Sequence, residues 1–212
     1  MTATISWDDS IRHFLEQAGS ASPTPGGGSV AALIAALAAS MTSMVGNLTQ
    51  GEKFADIQST IVEVIEKMRR LTTECEELLQ ADISSFNRYM DALKLPKSSD
   101  EEKHIRKNAL HEAAIQAIDV PLRLIEVCRD GLVFTRRIAE SSNKNVISDL
   151  GIGAILFEAA AQSALLTIEI NLASLKDAEL KQLYSDKVAS LMNEIQELKS
   201  SSLQITRNRI LG

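Results

Sequence analysis

A chain of 212 residues, 45% of them hydrophobic, is long enough to bury a sizeable core. Its formal net charge of −6 argues against a general binder of nucleic acid or of an anionic membrane, both of which call for a basic surface, and leaves room for a small anion held by a few local cations. Only four prolines, ten glycines and 4% aromatic residues occur, with Ala, Leu, Ile, Glu, Lys and Ser abundant, so the expectation is an all-α fold: a helical bundle of long antiparallel helices, one domain over 1–212, with almost no strand.

In chain order, Ser6 and Asp9 have the spacing of a capping box, and Ile11, Phe14, Leu15 and Ala18 make one apolar stripe ending at Gly19, which predicts a short first helix. Next comes Ser22-Pro23-Thr24-Pro25-Gly26-Gly27-Gly28-Ser29. Two prolines forbid a helix there, three glycines permit close approaches, and Ser29 is placed to cap a helix running to about Leu48. That helix is apolar or small on every side and reads as central. The turn is either a hinge before a core helix or half of a binding site, because the first N–H groups of a helix have no internal partner and suit a carboxylate or phosphate. It is not a Walker loop, and no strand pattern precedes it.

From Lys53 to Leu95 the apolar residues recur at helical spacing, with one exception: Asp82 stands where the seam calls for an apolar side chain. It marks either an exposed break in a long helix or a carboxylate facing a buried site, where burial raises its pKa. Ser99 and Glu102 form a second capping box opening a helix to about Arg129, kinked or divided at Pro121, and Leu132–Glu140 reads as a separate short helix. His104 and His111 share a helical face without a third ligand, so they read as solvated histidines and no metal is assigned. Ser148 is placed to cap the next helix, with Asp149 against its dipole and Gly151 and Gly153 keeping its first turn slender, a second glycine-marked entrance to a buried small-residue helix ending near Leu175. Its polar exceptions, Glu158, Gln162 and Glu169, suit an interhelical or subunit hydrogen-bond network as well as catalysis. A last amphipathic helix repeats Leu180, Leu183, Val188, Leu191, Ile195 and Leu198. Cys75 and Cys128 fall on apolar helical positions and read as buried free thiols. The start has no basic segment followed by an apolar run, and the longest apolar stretch, Val30 to Leu48, is rich in Ala and punctuated by Ser and Thr; a cytoplasmic protein without a membrane partner is expected.

These motifs, in this order, resemble the cyclodeaminase/cyclohydrolase family of folate one-carbon metabolism. The most specific part is Pro23-Thr24-Pro25-Gly26-Gly27-Gly28-Ser29-Val30-Ala31-Ala32-Leu33, supported by Leu48-Thr49-Gln50-Gly51, Asp82 four residues before Phe86, Leu95-Pro96-Lys97, Val120-Pro121-Leu122 and Asn143-Lys144-Asn145 leading to Ser148-Asp149-Leu150-Gly151. The chain departs from the family's usual pattern at Glu52 and Phe54, at Gln80, where a second acidic residue is common, and at Ser142. The resemblance implies an all-α homodimer acting on a tetrahydrofolate derivative. The first reading is a methenyltetrahydrofolate cyclohydrolase; the second is a formiminotetrahydrofolate cyclodeaminase; a non-catalytic folate-binding dimer and a plain structural bundle are the alternatives. Asp82 is then the catalytic residue. Pro25, Gly26, Gly27, Gly28, Ser29, Asn145, Ser148 and Asp149 are assigned to the folate, Ser29 and Asp149 either at the pterin edge or in support behind it, and Lys97 and Arg106 to glutamate carboxylates, Arg106 on charge alone. Orientation and proton transfer suffice for the chemistry, so no cofactor is expected.

Overall fold

The helix that follows the glycine turn, α2 (Gly27–Asn47), lies at the centre of the molecule, and the reason is in its alanines. Ala31, Ala35, Ala38 and Ala39 are fully buried, as are Ala160, Ala161 and Ala164 of α5 (Ile147–Ser174), so the two helices approach closely with little side chain between them. A methyl at Gly153 of α5 would come to 3.2 Å from the Ala38 carbonyl oxygen. The computed structural model describes residues 5–212. Besides α2 and α5 it contains α1 (Ile11–Ala18), α3 (Gln58–Lys94), α4 (Asp100–Ile138) and α6 (Ala178–Leu211), with short 3₁₀ turns at Glu52–Ile57 and Lys144–Val146; among the described residues there is no strand.

Side-chain pairs give the directions of the long helices. Lys67–Asp130 and Arg88–Gln116 run in opposite order along α3 and α4, whereas Tyr184–Asp119, Lys187–Glu126 and Arg136–Ser201 run in the same order along α4 and α6. Gly28 lies against Asp82 and Gly46 against Ile65, which makes α2 antiparallel to α3. Thus α2, α4 and α6 point one way, and α3 and α5 the other. One end of the bundle gathers the start of α2, the last turns of α3, the start of α4 and the end of α5. The opposite end, about 30 Å away along α2, gathers the end of α2 and the start of α5.

Several local expectations change. Ser6 and Asp9 do exchange hydrogen bonds, but in a turn; the cap of α1 is Ser10, whose side chain accepts from the His13 N–H. The cap of α2 is Gly26, with no side-chain bond, and Ser29 lies inside the helix, its hydroxyl turned to another partner. Ser148 does not cap α5 either: Val146 takes that position without a side-chain bond, and Ser148 is exposed on the first turn. The separation expected between Arg129 and Leu132 is absent, because α4 is one helix of 39 residues that includes Pro121 and Gly131. Gly131 continues the helix where nothing larger fits: a methyl there would lie 2.2 Å from Cζ of the buried Phe157. The Ser99–Glu102 capping box is present as read.

By length and composition two segments, α2 and 144–174, would pass as membrane spans, the second not singled out in the sequence; roughly half of each is buried in the fold. The remainder forms an outward apolar face, with Leu37 of α2, Leu48 just after it, and Ile152, Ile155, Leu166 and Ile170 of α5 all more than 45% exposed.

Candidate active site

Helix α2 begins with free N–H groups. Its first internal bond runs from Val30 N–H to the Gly26 carbonyl at 3.0 Å, so the amides of Gly27, Gly28 and Ser29 precede the ladder. Into this end projects Asp82 of α3. Its Oδ2 accepts a hydrogen bond from the Ser29 hydroxyl at 2.7 Å, and the Ser29 backbone N–H also interacts with the carboxyl. On the other side Oδ1 packs on Gly28 so closely that an added methyl would stand 2.1 Å from it. The anion seat foreseen at the glycine turn is therefore occupied by a carboxylate of the chain itself, and glycine at position 28 is a condition for that approach.

Burial pushes the Asp82 carboxyl above the ordinary carboxylate range, and the two Ser29 hydrogen bonds partly offset this; no charged side chain contributes. The result is an acidic group set apart from solvated carboxylates, half-buried and still open on one side. Of the two readings for the interrupted seam, the structure takes the second. Gln80, two residues back and on another face of α3, plays another part: its side-chain amide donates to the Ile5 carbonyl at 2.7 Å and ties the N-terminal segment to α3.

Two turns beyond Asp82 on the same face of α3, about 10 Å along the axis, Tyr89 opens a groove of about 670 Å³ between the ends of α3 and α5 and the start of α4. Lys97, Lys103, Arg106, Lys107, His111 and Lys176 line it and no acidic residue does, an unusual concentration in a chain of net charge −6. Lys97 and Arg106 thus come together as read. Arg106 is half-buried, donates to the Leu93 carbonyl at 3.2 Å, and has its Nε buried without a partner among the described residues. Lys103, Lys107, Lys176 and Tyr89 were not assigned to a site from the sequence, and His111 was read there only as a solvated helical histidine; the signal available was three cations at 103, 106 and 107, a basic stripe at helical spacing. His104, outside the groove lining, shares a hydrogen bond with Asn108.

Asn145, Ser148 and Asp149 lie at the opposite end of the bundle from Gly26–Ser29. There the later loop does meet the end of α2: the Asn143 N–H donates to Thr49 Oγ1 at 3.0 Å, and its side-chain amide to the Leu48 carbonyl at 2.9 Å. Within one chain these three residues and Asp82 do not share a site. Pro25 is buried just ahead of the turn, and Gly27 is exposed at its mouth. Both cysteines are free and buried, their thiols pushed upward by burial, that of Cys75 to about 12.

An all-α bundle with a half-buried carboxyl held at a glycine-opened helix start, followed by a cation-lined groove, is the frame of a helical enzyme domain. The chain belongs to the formiminotransferase-cyclodeaminase family, whose sequence profile it matches over residues 10–190. It is 33% identical over 204 residues to the methenyltetrahydrofolate cyclohydrolase of Methylorubrum extorquens, covering 96% of this chain and 98% of that protein. It is 35% identical over 188 residues to the formimidoyltransferase-cyclodeaminase of Mus musculus, of which it spans 35%. Among solved structures, that of formiminotetrahydrofolate cyclodeaminase from Thermotoga maritima superimposes with a TM-score of 0.87 at 25% identity, covering 96% of this chain and 98% of that one.

Proposed function

We propose that this protein is a methenyltetrahydrofolate cyclohydrolase, hydrolysing 5,10-methenyltetrahydrofolate to 10-formyltetrahydrofolate, with Asp82 as its acid–base residue. The observation that carries the reading is the Asp82 carboxyl itself, buried against Gly28 and bonded to Ser29 with the cationic groove two turns away. The full-length cyclohydrolase relative supports this choice of reaction.

The methenyl bridge between N5 and N10 is cationic, and a carboxylate beside it stabilises that charge and draws a water onto the bridge carbon. Asp82 takes one proton as the water oxygen bonds to carbon and the amidinium electrons return to nitrogen. The carbinol then collapses: the C–N5 bonding pair goes to N5, which receives the proton from Asp82, while the hydroxyl proton leaves for solvent and the formyl group remains on N10. A carboxyl raised by burial suits both halves of this relay. Proton transfer and orientation suffice, so the reading assigns no cofactor.

The groove, about 10 Å beyond Asp82 along α3, supports assigning the glutamate carboxylates of a folate to Lys97, Arg106 and their neighbours, and its volume supports a polyglutamate extension there. The outward face of α2 and α5 is assigned to a second copy of the chain: α2 has no charged residue, its exposed stripe continues onto α5, and Gln162 bonds Glu158 at 3.2 Å in the midst of that stripe. The fold match to a cyclodeaminase favours a second reading, in which the same carboxyl relays a proton from N10 to departing ammonia in 5-formiminotetrahydrofolate.

The test is the absorbance decay of 5,10-methenyltetrahydrofolate with wild type, with Asp82→Asn and without enzyme. Decay above the spontaneous rate that vanishes in the variant is expected. Decay at the spontaneous rate, with ammonia released from 5-formiminotetrahydrofolate, would replace the first reaction with the second.

A further inference from the structure

The Asp82 carboxyl is held asymmetrically. Oδ2 receives the Ser29 hydroxyl at 2.7 Å, whereas Oδ1 rests on Gly28 without a side-chain donor among the described residues; the Ser29 backbone N–H, which any residue at 29 retains, also interacts with the carboxyl. Ser29 is fully buried within the first turn of α2, so its hydroxyl is spent on the carboxylate and presents nothing to a ligand. We propose that Ser29 is a positioning residue and no substrate ligand: it anchors Oδ2 and thereby makes Oδ1 the oxygen that takes and returns the proton.

The chemistry follows from the geometry. A carboxylate oxygen that already accepts a strong, short hydrogen bond is the poorer site for a further proton, so protonation falls on its twin. Anchoring also fixes the rotation of the carboxyl, and the bare Gly28 allows that rotation to bring Oδ1 to the mouth of the helix. Serine and glycine at adjacent positions thus do two halves of one task.

This inference rests on the reading of Asp82 as the site's acid–base group, and the experiment separates the two. Asp82 is followed directly, by titrating its side-chain carbon by NMR in folate-free protein labelled at aspartate, with Asp82→Asn assigning the signal. Ser29 donation holds the Asp82 pKa down against burial, and neither α2 nor any other element contributes a charged group to it. In Ser29→Ala the carboxyl is therefore expected to titrate about one pH unit higher. With substrate, the acid limb of kcat/KM is expected to move up by the same amount and kcat to fall about tenfold, KM changing less than twofold. Circular dichroism and the melting temperature check that the variant is folded. Ser29→Thr, which keeps the hydroxyl, should restore the wild-type titration. A rise in KM with the titration and acid limb unmoved would make Ser29 a ligand and overturn the proposal, as would an unchanged titration. A shifted titration without methenyltetrahydrofolate hydrolysis in wild type would uphold the anchoring and refute the assigned reaction.

Discussion

Replacing Gly28 with alanine tests the site at its tightest contact. The new methyl would stand 2.1 Å from Asp82 Oδ1, 2.6 Å from Cγ and 3.0 Å from Oδ2, so the whole carboxyl must withdraw, by more than about 1 Å to reach ordinary contact. That retreat stretches the 2.7 Å bond from Ser29 beyond hydrogen-bonding range. Losing a bond to a charged group costs about 1.5–3 kcal/mol, and alanine over glycine in a helix returns up to about 1 kcal/mol, so the net loss is about 1–2 kcal/mol, a fall in Tm of about 2–8 °C in a protein of this size. Catalysis should suffer far more, because a 1 Å displacement of a reacting group costs about 100-fold in rate. The assay pairs methenyltetrahydrofolate hydrolysis with thermal unfolding, and the signature is a loss of about 100-fold in kcat in a folded protein. A variant with kcat within twofold of wild type would refute the idea that the carboxyl works from its place against Gly28.

Three further outcomes follow from the same structure. Gly131→Ala, far from the site, drives a methyl to 2.2 Å from the Phe157 ring in the core and should cost about 3 kcal/mol, lowering Tm by about 6–12 °C; an unchanged Tm would mean that α4 and α5 separate easily there. Burial raises the Asp82 pKa above its unfolded value of about 3.9, so this group's contribution to stability is full below that pH and is lost as pH rises through its folded value. Asp82→Asn, which does not titrate, should therefore gain on wild type across the acid range and remain the more stable at neutral pH in urea unfolding; a wild type more stable at pH 7 would contradict the environment described. If the exposed stripe of α2 is the dimer interface proposed above, wild type should sediment as a dimer and Leu37→Asp as a monomer; a wild-type dimer left intact by the substitution would move the interface elsewhere, and a monomeric wild type would refute the assignment.

The sequence by itself determined the all-α class, the long helices and the central place of α2, since apolar spacing and a run of alanines are local properties that act whatever the rest of the chain does. It also marked Asp82, because a carboxylate in an apolar seam conflicts with its surroundings, and it marked the glycine turn for the same kind of reason. It did not show that the two belong together. Asp82 and Ser29 are 53 positions apart, and only the antiparallel packing of α3 on α2 puts the carboxyl on the free amides, turning an apparent helix cap into a carboxylate anchor. Tertiary packing likewise overruled the division of α4: Gly131 reads as a break by propensity, yet its missing side chain is what admits Phe157. The same holds for the cations. Lys97, Arg106 and Lys176 come from different elements, and no sequence pattern relates them until the ends of α3, α4 and α5 converge. Packing also separates what the sequence grouped: the direction of α2 carries Asn145, Ser148 and Asp149 to the far end of the bundle, because a helix of 21 residues is a rigid spacer of about 30 Å.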